Sequence, residues 1–395
     1  GTKAFYDIRY FLKVDEDDPS KYKLRYYFVP NEPNSLKLGA RFDSYETAAL
    51  ALRLGYNENK LKGFKANLST RLSYNPWVNI AATYAFGHIP NITLDYTLSS
   101  SALDIYDNGQ PYSNLRMDKH DVRLYFSQFY SKSIGAGVGL DWQVNRSSKV
   151  FSQTEWDEEG YTNVNMLGVY GYFDIDSRDK TSFPNTGVDL NLNVLWNFFE
   201  SGEDVEIEYN PSNVKLGLAY GSFVSYIPIS NRVCFIPQIY GSFVFGKHAY
   251  RYGDGTIYNG APLNRYPIYD YYANYVGGDV FGRYFKHQLP FIGSNKLEYS
   301  NNNIAILRTD LRVRVLNKVY VTAMANYMHD SITFDTFFKP DVVSVEGMPL
   351  YLTRDIWGYG LQLGYESVMG PMTFDVHWGS QSKDFGVYLS LGHYF

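Results

Sequence analysis

The sequence predicts an all-β fold: a closed antiparallel transmembrane β-barrel of about sixteen strands. Three observations lead there. Hydrophobic residues make up 45% of the 395-residue chain, yet mean hydropathy is −0.31, so apolar and polar residues are interleaved. Alternating segments of about ten residues recur along the chain, the length a tilted strand needs to cross a bilayer. The 38 Tyr and 26 Phe gather toward segment ends, where interfacial girdles belong. No apolar run reaches the length of a transmembrane helix.

Taken in order, the segments begin with SLKLGARF (35–42), ETAALALRLGY (46–56), FKANLSTRLSY (64–74) and WVNIAATYAFG (77–87). A weaker ITLDYTLSSSALDIY (92–106) precedes HDVRLYFSQFY (120–130), SIGAGVGLDWQ (133–143) and VNMLGVYGYFDI (164–175). Next come VDLNLNVLW (188–196), VKLGLAYGSFVSYI (214–227) and VCFIPQIYGSFVFG (233–246). The last five are NIAILRTDLRVRVL (303–316), KVYVTAMANYM (318–328), WGYGLQLGYES (357–367), GPMTFDVHWG (370–379) and FGVYLSLGHYF (385–395). Sixteen is even, as single-chain outer-membrane barrels require. Short connectors such as Asn75–Pro76 contrast with long ones at 144–163, 197–213, 247–302 and 329–356. That asymmetry fits tight periplasmic turns and long extracellular loops.

Side-chain parity assigns the wet face. Over 303–316 the even positions include Arg308, Asp310, Arg312 and Arg314, while the odd ones are apolar or Thr309. Over 357–366 Trp357, Tyr359, Leu361, Leu363 and Tyr365 share one face against glycines, Gln362 and Glu366. Small residues sit with the charges, as a crowded lumen would have them. A soluble sandwich also alternates, but it needs turns every 8–12 residues and a second sheet against its apolar face. The final segment then closes on the first, because hydrocarbon does not tolerate an open sheet edge.

The net charge of −5 leaves no nucleic-acid footprint. One cysteine, Cys234, permits no internal disulfide and no cysteine metal site. The seven histidines show no HExxH or zinc spacing, no Gly-x-Ser-x-Gly occurs, and no cofactor is expected. The acidic stretches TEWDEEG (154–160) and ESGEDVEIEY (200–209) read as solvated loops. These residues therefore carry no predicted catalytic group.

Two motifs are more specific. DIDSRDKTSFPNTG (174–187) resembles the Asp-x-Arg…Pro-x-x-Gly signature of the bacterial surface antigen superfamily, the BamA- and TamA-type barrels, on Asp176, Arg178, Pro184 and Gly187. VGGDVFGRYF (276–285) resembles its loop signature, with Gly277, Gly278, Arg283, Tyr284 and Phe285. Tyr284 stands where the superfamily has glycine, and Gly282 precedes the arginine. The Gly-Pro opening of GPMTFDVHWG and the chain end, with Leu391 and Phe395, resemble the penultimate strand and the assembly signal.

The resemblance implies a bacterial outer-membrane location, with lipid, lipopolysaccharide and the outer-membrane assembly machinery as partners. It also implies that the loop at 266–295 enters the lumen and that Arg283 meets the inner wall. A guanidinium suits a bidentate carboxylate contact. Parity offers Asp310 first, then Glu366 and Asp375, although Arg308 and Arg312 flank Asp310. The alternative is that Arg283 is a solvated loop charge.

LGARFDSYETAALALRL (38–54) and GRYFKHQLPFIG (282–293) are most similar to barrels of Bacteroidetes-type patatin-like phospholipases. Residues 1–34 resemble the closing hairpin of a POTRA module, leaving 35–395 as the barrel. The implied function is anchoring or translocating an N-terminal effector, a patatin-like phospholipase domain absent from these residues. The alternatives are an assembly barrel of BamA or TamA type and a passive porin.

Overall fold

The computed structural model describes residues 5–15, 20–30, 34–58, 62–87, 90–129, 133–151, 160–204, 215–247, 249–251, 257–259, 274–294, 296–331, 334–339, 342–345, 348–351 and 353–393. Strands β1 (Phe5–Val14) and β2 (Tyr22–Pro30) form a separate antiparallel hairpin. The wall opens with β3 (Ser35–Asp43), β4 (Thr47–Tyr56), β5 (Gly63–Leu72) and β6 (Trp77–Ala85). It rises through β7 (Asn91–Asp107), β8 (Gln110–Phe129), β9 (Ile134–Phe151), β10 (Gly160–Asp176) and β11 (Gly187–Asp204). Then follow β12 (Lys215–Pro228) and β13 (Val233–Lys247).

The long connection after β13 holds the short β14 (Ala249–Arg251), β15 (Ile257–Asn259), β16 (Asn274–Val276) and β17 (Leu297–Ser300). The wall resumes with β18 (Asn303–Leu316) and β19 (Val319–Ser331). Helix α1 (Phe334–Phe338) and the hairpin of β20 (Val342–Val345) and β21 (Met348–Tyr351) lead to β22 (Thr353–Ser367), β23 (Gly370–Gly379) and β24 (Phe385–Gly392). Strand β13 pairs directly with β18, and β24 closes on β3, giving a sixteen-stranded antiparallel barrel.

The wall is uneven. Strands β3 to β6 have 9 or 10 residues, whereas β7 to β11 have 17 to 20. Sequence reading placed loops at 144–163 and 197–213, but β9 runs on to Phe151, β10 starts at Gly160 and β11 continues to Asp204. The physical reason is that polarity reverses along these strands. In β8 the membrane-level pattern has Asp121 and Arg123 inward with Leu124 and Phe126 outward; higher up Leu115 and Met117 are buried inside while Arg116 and Asp118 face water. Above the bilayer the outside is wet and the inside packs on the loop, so both faces exchange character.

The lumen accordingly has two halves. Its upper half, on the side of the long connections, is an apolar core. Leu103, Ile105, Leu115 and Met117 of the wall enclose Tyr275, Phe285 and Leu297, and Ile304, Ile306, Met328 and Ile356 enclose Val276, Leu289 and Phe291. Its lower half is polar, lined by groups such as Asp141, Gln143, Asp310, Arg312 and Thr322. Parallel pairing of Leu297 and Glu298 with Ile105 and Tyr106 fastens the inserted segment to the tall wall.

Candidate functional site

Among the described residues the shortest join in the wall is the seam. There strand β3 meets β24 through Arg41–Asp43 against Ser390–Gly392, with Ser44 adding hydrogen bonds to Leu389, whereas β3 pairs with β4 along its whole length. Side chains on the lumen face supply what the ladder lacks. Arg41 donates to Asp43 at 3.1 Å, to the Gly392 carbonyl at 3.2 Å and to the Tyr388 hydroxyl at 3.1 Å. The Asp43 carboxylate also accepts the backbone N–H groups of Tyr45 and Glu46, which shapes the β3–β4 turn.

Arg283 comes down onto this place from the inserted loop. Its guanidinium donates to Asp43 at 2.7 Å, to Glu46 at 3.1 Å and to the Tyr388 hydroxyl at 3.3 Å. One side chain thus ties the loop to both strands of the seam. The clasp is dry: side-chain exposure is 4% for Arg283, 2% for Asp43 and 4% for Glu46. Arg71 and Ser73 hold the other oxygen of Glu46 at 3.4 and 3.2 Å. The guanidinium stacks near the rings of Tyr284 (5.1 Å) and Tyr45 (5.6 Å), an arrangement that favours a desolvated cation.

The loop's own sequence explains its shape. Gly277, Gly278 and Gly282 adopt φ of +136°, +73° and +67°, a region that costs residues with a Cβ. A Cβ on Gly277 would lie 2.0 Å from the Lys296 carbonyl. Phe285 stacks on Tyr275 at 4.7 Å, and Tyr284, which departs from the superfamily's glycine, lies against Tyr45 at 5.9 Å. Two further anchors hold the tip. Lys286 pairs with Asp121 of β8. On the far wall Asn326 accepts the Ile292 N–H at 2.7 Å and donates to its carbonyl at 3.0 Å. There Gly358 leaves no room for any side chain, since a Cβ would sit 1.7 Å from the Ile292 oxygen.

Asp310 is not the partner of Arg283. Arg308 engages it with two hydrogen bonds of 2.9 and 2.8 Å, and Gln238 donates to it at 2.7 Å, so its acceptors are occupied in its own strand neighbourhood. Asp375 accepts from His377 at 3.1 Å, and Glu366 binds Lys180 at 3.2 Å. The true partners lay within reach of parity: Arg41 and Asp43 share the inward face of SLKLGARFD, and Glu46 follows in the turn. Leu391 pairs with Phe42 at the seam. Phe395, loop residues 266–273, and residues 154–159 and 205–209 of the acidic stretches lie outside the described residues.

The second motif forms the connection between β10 and β11. Arg178 donates to both oxygens of Asp176 at 2.9 Å and bridges to Asp189 at 3.0 Å. The Asp179 carboxylate accepts the N–H groups of Asn185 (2.8 Å) and Thr186 (3.3 Å). Burial would raise that carboxyl, but the two backbone donors outweigh it and hold it below the ordinary carboxylate range. Gly187, at φ +110°, closes the loop where a Cβ would strike Ser177. The tip turns inward: Phe183, at φ +47°, stacks on Tyr320 at 4.6 Å, and Arg312 donates to the Pro184 carbonyl.

A family model described as the OMP85 superfamily matches residues 92–395, more than three quarters of the chain. The chain belongs to the OMP85 superfamily. No curated protein matches it. Its structure is similar to BamA from Haemophilus ducreyi lacking POTRA domains 1–3, with a TM-score of 0.60, 10% identity, and coverage of 99% of this chain and 75% of that one. It is also similar to CdiB from Acinetobacter baumannii (TM-score 0.55, 10% identity, 98% and 65% covered) and CdiB from Escherichia coli (0.50, 13%, 99% and 68%). An OMP85 barrel resides in the bacterial outer membrane, so the end holding Ser35, Gly392 and the 177–186 turn is periplasmic and the end with the inserted loop is extracellular.

Proposed function

We propose that this OMP85 barrel is a gated polypeptide conduit that anchors or translocates an N-terminal effector at the outer membrane. The observation carrying this is the Arg283 clasp across a seam where the described residues form three strand pairs. A passive porin gains nothing from a lumen packed with Tyr275, Phe285, Leu289 and Phe291. A conduit needs such closure at rest, together with a join that can part. The likeness of 38–54 and 282–293 to patatin-like phospholipase barrels supports a lipase as that effector, and we read the β1–β2 hairpin as the closing part of a POTRA-like module.

The short seam also favours a second reading, an assembly barrel that inserts other proteins through the parted strands. Deleting the gene and quantifying the outer-membrane proteome separates the two. Loss of one surface-exposed lipase, with other barrels unchanged, is the expected result. A broad fall in barrel proteins would instead establish the assembly reading.

A further inference from the structure

The Arg283 loop closes the extracellular half and leaves the periplasmic mouth to something else. The 177–186 connection leaves the wall between β10 and β11 but seats on the inner faces of β13, β18, β19 and β22. Going from β11 through β12, β13, β18 and β19 to β22 takes five of the barrel's sixteen strand-to-strand steps, so the segment spans about a third of the circumference as a chord.

Its seat is built for it. Gly364 has no side chain where Phe183 rests; a Cβ there would lie 2.6 Å from the ring. Tyr320 supplies the stacking face, and Arg312 lies 5.9 Å from the ring while holding the Pro184 carbonyl. Lys180 reaches Glu366 and the Tyr320 hydroxyl, each at 3.2 Å. The Cys234 thiol, on β13, donates to the Asn185 carbonyl at 3.5 Å beneath the segment.

Base and tip differ in kind. The base is cross-braced to its own two strands by Arg178, and Asp179 ties the two limbs of the segment together through Asn185 and Thr186. The tip is joined to the opposite wall by one aromatic stack, one ion pair whose side chains are 31% and 34% exposed, and hydrogen bonds from Lys180 to Tyr320, Arg312 to the Pro184 carbonyl and Cys234 to the Asn185 carbonyl. We infer that residues 177–186 form a periplasmic gate, hinged on the Asp176–Arg178–Asp189 brace and latched by Phe183, which swings out of the lumen to admit a polypeptide. The inference rests on the conduit reading for its purpose, but its motion can be tested without any cargo.

Cys234 is the chain's one cysteine and serves as a native reporter. The purified chain, folded in detergent, is labelled with a water-soluble maleimide, and the same variants are reconstituted for single-channel recording. Two changes release the latch by independent routes: Phe183→Gly removes the ring and suits the positive φ, and Gly364→Val fills the seat from a wall strand. Both are expected to label Cys234 at least tenfold faster than wild type. Combined with Arg283→Ala, each is expected to raise conductance at least threefold over Arg283→Ala alone. If folded variants label at the wild-type rate, the segment is a fixed part of the wall. If labelling rises but the Arg283→Ala conductance does not, the segment moves without closing the path. Either result overturns the gate and leaves the deletion experiment, which tests the conduit, unaffected.

Discussion

The two signature motifs each place an arginine between two carboxylates, yet in opposite surroundings. Arg283 is 4% exposed, between Asp43 and Glu46, and joins three separate stretches of chain. Arg178 is 26% exposed, beside an Asp176 that is 56% exposed, and joins residues of one hairpin. The same ion-pair chemistry therefore carries different weight. A buried pair that loses a member leaves an uncompensated charge, while an exposed pair is replaced by water. The loop clasp is a dry lock across the seam; the periplasmic brace is a hinge that water can service.

The largest effect follows from the dry clasp. Arg283→Ala should destabilise the barrel by about 3 kcal/mol, the lower end for a broken buried pair, because Asp43 and Glu46 lose their shared cation but keep Arg41 and Arg71. Urea unfolding followed by heat-modifiable gel migration measures this, and ion leakage through the reconstituted barrel should increase. Arg283→Lys should recover only part, since an ammonium cannot span both carboxylates and Tyr388 together. An Arg283→Ala barrel as stable and tight as wild type would remove the lock from the comparison.

A double-mutant cycle then sharpens which acids matter. Glu46→Gln and Arg283→Ala should be less than additive, with a coupling of about 0.5–3 kcal/mol. Asp310→Asn with Arg283→Ala should add, because Asp310 answers to Arg308 and Gln238. Coupling at Asp310 in place of Glu46 would return the arginine to the far wall.

Asn326→Ala comes next. Its amide satisfies both backbone groups of Ile292 at a buried site, so its loss should cost about 1–3 kcal/mol for the groups left unpaired. Faster hydrogen exchange at Ile292 with unchanged exchange at Arg283's end of the loop is the expected signature. Uniform loosening of the loop would show that its two anchors are one unit.

The strand count and membrane-facing parity were legible because lipid imposes a single rule on every crossing, seen in the alternation of 303–316 and 357–366. The same rule misled above the bilayer. Leu115, Met117, Val164 and Met166 are apolar residues inside the barrel, beside outward Arg116, Asp118, Asn163 and Asn165, and this reads as noise to anyone assuming one polarity per face. Arg283 could be singled out from its motif, but not its partner, since pairing across 240 residues depends on where the loop lands. Parity puts Asp43 on the lumen face of β3 with Lys37 and Arg41, and Glu46 in the turn after it, but nothing local says that a loop arginine lands there.

The smallest predicted effect is at the hinge. The Asp179 carboxylate, facing Lys180 on its own turn and near the Asp176–Arg178–Asp189 brace, is held below its ordinary value. A carboxyl depressed in the folded state contributes stability above its unfolded value, near pH 4, and loses it as pH falls through the folded value. Acidification below about pH 4 should therefore loosen the turn's base. In the Arg283→Ala background, where the upper closure is already released, conductance should rise modestly as pH drops from 5 toward about 3. Other carboxylates line this mouth, so the control is Asp179→Asn, whose amide oxygen can still accept from Asn185 and Thr186 without changing charge. That variant should flatten the part of the rise due to Asp179. A rise of the same size in Asp179→Asn would assign the acid sensitivity to groups other than Asp179, and no rise at all would mean that the base is held by its backbone ladder rather than by this carboxylate.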